Sequence, residues 1–328
     1  MRASFLSSSA LVRLRGSFFG LLGCIGLVLA VCHDSDAATS EITGFYSVAV
    51  PQGNSAWVCG LVSAIDFEGP ATAVAADSGD GKALISFTGQ TWTVDEFVGW
   101  YAEAQTGTSA GLALDVISNT PDTLKLDAAP AGLSAGTVFL LRRHATLGSL
   151  LPDGGGFTPL SDSISLFAIN GSQKTYLYDD VAGTWVDALL ADASNVIIRP
   201  GQGFVIYAEN PLTLTLGKGT VCHVKVTPTQ VLARAGVPNL VGALNPLAPA
   251  SSLGALGVTG SLQAFNDSIV TLTPGTLAQG GTYLSNGAQL INGLGQSATA
   301  TPLPAGASVV INVDATKGVT LAPVTAGP

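Results

Sequence analysis

Gly132-Leu133-Ser134-Ala135-Gly136 has the G-x-S-x-G spacing of a serine nucleophile elbow. That chemistry needs the serine on a tight turn between a strand and a helix, with its hydroxyl standing clear of the backbone. Here Ala128-Ala129-Pro130 precedes the pattern and a strand-like run, 138–141, follows it. The helix is missing, so Ser134 reads as an inert residue of a turn leading into a strand. Histidine is the commonest general acid or base, and of three histidines only His144 and His223 would remain after cleavage of residues 1–37. His144 follows two cations, Arg142 and Arg143. His223 adjoins Cys222, but neighbours in a strand point to opposite faces, so neither a shared metal nor a Cys/His dyad is expected.

Two turns are rich in carboxylates: Asp77-Ser78-Gly79-Asp80-Gly81, and Asp179-Asp180 with Asp187. Hard oxygen ligands on a loop suit Ca²⁺, which makes Asp77, Asp80, Asp179, Asp180 and Asp187 the candidate metal ligands. Neither turn has D-x-D-x-D-G spacing or a following bidentate Glu, and aspartate is also a common turn former in its own right. Asp162 and Asp267 each stand just before Ser-Ile, where a carboxylate caps a turn. Trp57, Trp92, Trp100 and Trp185, with six tyrosines, offer material for a sugar-stacking platform, although aromatics in β proteins more often fill the core. G-x-x-x-x-G-K-[ST], H-E-x-x-H and C-x-x-C do not occur, so nucleotide and structural-zinc chemistry have no support and no cofactor is expected.

The elements that must position these residues begin after a targeting segment. Arg2, Arg13 and Arg15 precede an apolar stretch over 17–32, and Ser35-Asp36-Ala37 supplies small residues at the −3 and −1 positions of a signal-peptidase site. Residues 1–37 are expected to be a signal peptide, cleaved after Ala37. Cys24 and Cys32 offer a lipoprotein alternative, in which a second apolar element would be redundant. The apolar run falls short of the ~20 residues that span a bilayer, and no other such stretch follows, so no membrane span is expected. An exported chain is periplasmic, cell-surface or extracellular. Its formal net charge of −9 with only 13 Lys and Arg opposes nucleic-acid binding and docking on anionic lipid. Cys59 and Cys222 remain after cleavage and enter an oxidising compartment, where a disulfide between them is the candidate pairing and two separate buried thiols the alternative.

Short alternating or apolar runs recur between Gly, Pro, Asn and Asp clusters, at 45–50, 84–87, 112–117, 123–126, 138–141, 164–168, 204–208, 212–216, 221–226 and 309–313. These predict an all-β chain. The one helical hint is 93–98, where Thr93 could cap a single turn.

Four landmarks also occur twice in the same order. Leu147-Gly148-Ser149-Leu150, Asp162-Ser163-Ile164, Thr175-Tyr176-Leu177 and Pro200-Gly201-Gln202-Gly203 return as Leu253-Gly254-Ala255-Leu256, Asp267-Ser268-Ile269, Thr282-Tyr283-Leu284 and Pro304-Ala305-Gly306, between 103 and 107 residues later. A period this long means two copies of one domain rather than a short-repeat solenoid. The second copy runs within a dozen residues from Asn239-Leu240-Val241 to its Leu-Gly landmark, but the first needs some 85 residues from Trp57-Val58-Cys59. The expected architecture is therefore two homologous β-sandwich-like units, A (44–72 plus 144–218) and B (221–322). A small β-barrel-like domain, 73–143, is inserted in the first.

GFYSVAVPQG (44–53), ISNTPDTLKL (117–126), RRHATLGSLL (142–151), RPGQGFVIYA (199–208) and PNLVGALNP (238–246) resemble an uncharacterised family of exported, duplicated β-rich proteins from Gram-negative environmental bacteria. RRH-x-TLGSL and PGQGF are the most distinctive of these motifs. The family has no assigned activity, so the resemblance carries over no catalytic residue, and Cys59 and Cys222 depart from its usual pattern.

Duplicated β architecture with few titratable residues at plausible sites points to a non-catalytic structural or interaction module of the cell surface or extracellular space. Envelope proteins or glycans are its candidate partners. A glycan-binding protein using exposed aromatics, with help from Ca²⁺, is the alternative, and a carboxylate-based hydrolase comes third. An interaction module is expected to present an apolar patch or an open edge strand.

Overall fold

The computed structural model describes residues 46–59, 65–167, 172–216, 228–242, 250–272, 278–304 and 308–322. The expected signal peptide, Cys222 and His223 lie outside them, and so does the run 221–226. Two strands open the described chain, β1 (Tyr46–Val50) and β2 (Asn54–Cys59). Seven follow that share one sheet: β3 (Phe67–Pro70), β4 (Ala73–Ala76), β5 (Ala83–Ser86), β6 (Trp100–Ala104), β7 (Ala113–Asn119), β8 (Thr123–Leu126) and β9 (Val138–Arg143). The chain continues through β10 (Ala145–Thr146), the one-turn helix α1 (Leu147–Leu150), β11 (Ser163–Phe167), β12 (Gln173–Asp179), β13 (Thr184–Val186), β14 (Ile197–Ile198), β15 (Gly203–Ala208) and β16 (Leu212–Leu216). It ends with β17 (Thr229–Ala233), β18 (Asn239–Val241), β19 (Ala250–Ser252), β20 (Ser268–Leu272), β21 (Gln279–Ser285), β22 (Leu290–Ile291), β23 (Pro302–Pro304), β24 (Val309–Asn312) and β25 (Lys317–Leu321). The protein is all-β, and every ladder between these strands is antiparallel.

The seven-stranded sheet has the order β3-β9-β6-β7-β8-β5-β4. Its outermost strands, β3 and β4, are separated only by Ala71 and Thr72, so the two edges are joined covalently and the sheet must curl. A second bend falls in β7, which pairs β6 through 113–115 and β8 from Val116 onward, with a register shift between Val116 and Ser118. The curl encloses Phe67, Phe87, Trp92 and Phe97, packed edge to face with centroids 5.1 to 5.5 Å apart. Strand β3 precedes the 73–143 range read from the sequence, yet its pairing with β9 makes it part of this sheet. Residues 93–98 are a turn, not a helix. Asp95 sits at φ 59°, and Asn119 ties the loop down by accepting from Phe97 N and donating to Thr93 O.

Two five-stranded sheets have the same order, β13-β12-β11-β15-β2 and β22-β21-β20-β24-β18. Ile164 lies opposite Tyr176 on one side and Ile206 on the other, and Ile269 lies likewise between Tyr283 and Ile311. Each sheet packs its core against a two-stranded ribbon, β1–β16 for the first and β17–β25 for the second. The Leu-Gly landmarks enter the two sheets alike, since Gly148 N donates to Ser194 O and Gly254 N to Thr299 O. The outer edges are closed in the same way. The chain folds back on β13 through Ala193 N to Trp185 O, and on β22 through Ala298 N to Leu290 O. Among the described residues these return loops leave neither strand the open edge on which another chain could add a strand.

Asp162 and Asp267 fasten matching corners. Asp162, 1% exposed, accepts Thr158 N and Glu209 N, both at 2.7 Å. Asp267, fully buried, accepts Gln263 N at 2.6 Å and Asp314 N at 2.9 Å, with Lys317 Nζ at 2.5 Å as counter-charge. Replacing either carboxylate removes the acceptor from two part-buried amides, at up to roughly 1–3 kcal/mol each. Asp162→Ala is therefore expected to lower the urea midpoint with an unchanged m-value. An unshifted midpoint would show that these bonds contribute nothing net.

Candidate functional site

The polar residues gathered most closely stand on the outer face of the seven-stranded sheet. Side chains alternate along a strand, and Ala102, Ala104, Phe139 and Leu141 point into the curl. Tyr101, Glu103, Leu140 and Arg142 therefore point outward, yet all four are at most 3% exposed. Glu103 and Arg142 form an ion pair there, Oε2 to Nε 3.4 Å. Asp115 lies directly across from Tyr101 in register, on the same face. His144, just past β9, directs Nε2 to Asp115 Oδ1 at 3.0 Å and lays its ring against Tyr101, centroids 4.8 Å apart. His144 Nδ1 is buried and has no hydrogen-bond partner among the described residues. Arg199, just after β14, closes the cluster with a bidentate grip on Asp115, both contacts at 2.6 Å.

The electrostatics follow from this packing. Burial pushes the Asp115 carboxyl up, but hydrogen bonds from His144 and Arg199, with the Arg199 charge, outweigh it and hold the group well below the usual carboxylate range. Asp127 is pushed the other way, by burial and by the neighbouring Asp115 charge. The Arg199 guanidinium is held charged by Asp115. A histidine and a carboxylate in contact can relay a proton, but this carboxylate is committed to an arginine, and among the described residues no serine or cysteine hydrogen-bonds to the histidine. The arrangement fastens chain segments together. Neither Asp115 nor Arg199 stood out in the sequence, because 84 residues separate them and each sits in an unremarkable context.

The sequence candidates disperse. Ser134 lies exposed in a turn, its amide 3.3 Å from Thr137 Oγ1, and Gly132 before it has φ +99°, the backbone conformation that only glycine adopts freely. Asp77 and Asp80 share one ammonium, Lys125 Nζ, at 2.5 and 3.0 Å, which fills the space between them and lowers both carboxyls. Asp179 accepts Val181 N and Ala182 N, and Asp187 accepts Leu189 N and Ala191 N. The matching turns of the second sheet make the same bonds with amides: Asn286 accepts Ala288 N and Gln289 N, and Asn292 accepts Leu294 N and Gln296 N. Asp180 is exposed beside Asp179. Among the described residues no group of three or more His, Cys, Asp or Glu is placed to hold a metal ion.

Trp185 is buried, with Nε1 donating to Leu151 O, while Trp92 and Trp100 are half-buried in the edge-to-face stack and Arg143 lies over Trp100. Cys59 ends β2 opposite Gly203, and with Cys222 outside the described residues their pairing lies outside them too. Among the described residues no helix is long and apolar enough to cross a membrane. The chain matches no protein-family model, curated protein or solved structure with which it was compared.

The folded pKa of Asp115 lies below its unfolded value, so its contribution to stability is present above the unfolded value of ~3.9 and is lost as pH falls toward the folded one. Asp115→Asn is expected to destabilise by a constant amount above about pH 5, with the deficit shrinking as pH drops toward ~2. Urea melts of both proteins across that range check it, and a deficit independent of pH would show that the charge of Asp115 is not what matters.

Proposed function

We propose that this chain is an exported, non-catalytic structural or interaction module of the cell surface or extracellular space, built from two homologous β units with a barrel-like domain inserted in the first. The observation that carries the reading is the exchange of carboxylate for amide between matching turns, Asp179 for Asn286 and Asp187 for Asn292. Metal binding or acid–base work needs the charge, whereas capping a turn needs only an oxygen that accepts hydrogen bonds. The remaining candidates fit the same account, since Asp77 and Asp80 are paired with Lys125, with Lys82 Nζ 3.8 Å from Asp80, and Asp115 is paired with Arg199.

Return loops cover the outer strands β13 and β22, so the turns beside them are the parts of the two five-stranded sheets best placed to meet a partner. Val181, Leu189 and Leu294 are 94%, 87% and 82% exposed, and the last two occupy matching turns. Export rests on the arginine-led apolar segment with its Ser35-Asp36-Ala37 site, and on the resemblance of the RRH-x-TLGSL and PGQGF segments to exported proteins of Gram-negative bacteria.

Expression of the full chain in a Gram-negative host tests both halves. The protein is expected outside the cytoplasm with Ala38 as its first residue, read by intact mass. A covalent serine-hydrolase probe is expected to leave it unlabelled, and Ser134→Ala to leave its binding to isolated envelopes unchanged. Retention in the cytoplasm with residues 1–37 attached would sink export, and probe adducts on Ser134 would restore an enzymatic reading.

A further inference from the structure

Segment 110–115 of the seven-stranded sheet touches both of the other sheets' assemblies. At one end it meets β17, the ribbon strand of the second: Gln230 N donates to Gly111 O at 2.9 Å, Gln230 Nε2 donates to Ala110 O at 3.0 Å, and Leu112 forms an isolated parallel bridge with Gln230. The approach is so close that a Cβ on Gly111 would stand 1.9 Å from Pro228 O, and Gly111 already has φ +87°. At the other end Asp115 holds Arg199, which leads into β15 of the first sheet. Four residues of one extended strand, roughly 13 Å, thus separate a contact with each. We infer that the seven-stranded sheet is a clamp, which sets the position of the first five-stranded sheet relative to the second.

Burial supports a fixed dock rather than a loose appendage. The outer face of this sheet carries Glu103 and Arg142 at 0% and 3% exposure, and a swinging domain would leave that face in water. The two five-stranded sheets also meet directly, where Gly242 N donates to Gly201 O at 3.1 Å and Gln202 bridges Val241. Gly201 and Gly203 lie against Val231 and Leu240, where side chains would clash. At that seam Gly201 also meets Thr229 and Leu321, and Gly203 meets Ser308, and the clamp adds a second, separate point of attachment between the two sheets.

The test separates clamp from seam in the full chain. Paired nitroxides are placed at Val181 and Leu294, two exposed turns on different sheets, through a non-cysteine chemistry that spares Cys59 and Cys222. The unaltered protein is expected to give one narrow distance distribution. The double variant Gly111→Ala, Arg199→Gln is expected to broaden it about twofold while far-UV circular dichroism stays the same, with each single change in between. An unbroadened distribution in the folded double variant would show that the seam alone fixes the arrangement, and would overturn the inference. Should the double variant not fold, Arg199→Gln alone decides by hydrogen exchange. Loosening one end is expected to speed exchange of the Gln230 amide by about tenfold through local opening at the other, and unaltered exchange there would overturn the clamp.

Discussion

Where a β-sheet is covered on both faces its charges need partners, and strands β6, β7 and β9 turn Glu103, Asp115 and Arg142 away from the aromatic interior of the seven-stranded sheet. Glu103 and Arg142 neutralise each other within the sheet. Asp115 has no such neighbour on its own strands and draws its partner from elsewhere in the chain, Arg199, with His144 completing the shell. Asp115 is part-buried, and its hydrogen bonds to His144 and Arg199 outweigh the desolvation it suffers, which favours the placement that brings the three together. The close approach of Gly111 to β17 and the covering of Tyr101 belong to the same placement.

The two five-stranded sheets solve a different problem, that of short strands with polar corners. Asp162 and Asp267 each gather two backbone amides at the point where the chain enters the central strand, and each sheet's short outer strand is covered by the chain's own return. Their turns need acceptors and accept either acid or amide. Carboxylates that look like candidate ligands in the linear sequence therefore belong to the turn chemistry of β structure. Lys317 marks where the two sheets differ, since it neutralises Asp267 while Leu212 holds the corresponding place in the ribbon of the first.

Much of this architecture was legible. Runs 123–126 and 212–216 coincide with β8 and β16, because alternation of apolar with polar residues exposes period-two burial directly. The landmarks flagged Asp162 and Asp267, but only the bond each accepts from the amide four residues before it is local; the partners 47 residues on, Glu209 N and Asp314 N, leave no local signature. Strand β6 was not legible. Its Trp-Tyr-Ala-Glu-Ala is buried on both faces, with a charge where apolar side chains would be sought, and the ion pair with Arg142 offsets the cost of that burial. The helical reading of 93–98 failed for a similar reason, since the backbone there obeys Asn119, more than twenty residues away. The polar cluster left no local signature because its members come from four separate segments, and no local pattern encodes a contact between Asp115 and Arg199.

The pairing of Phe67 with Leu141 places the start and end of the seven-stranded sheet side by side. Strand β2 must find β15, with Cys59 opposite Gly203, across more than 140 residues of chain. If the locally connected sheet forms first, that search no longer spans the whole stretch, because its ends leave the intervening domain as neighbours. The loop to be closed shrinks to roughly half its length, which lowers the entropic cost by about 0.6 kcal/mol and removes the competing collapsed states of the enclosed segment. The order in which the sheets close thus affects how quickly the chain finds its pairing, independently of anything its surface later meets.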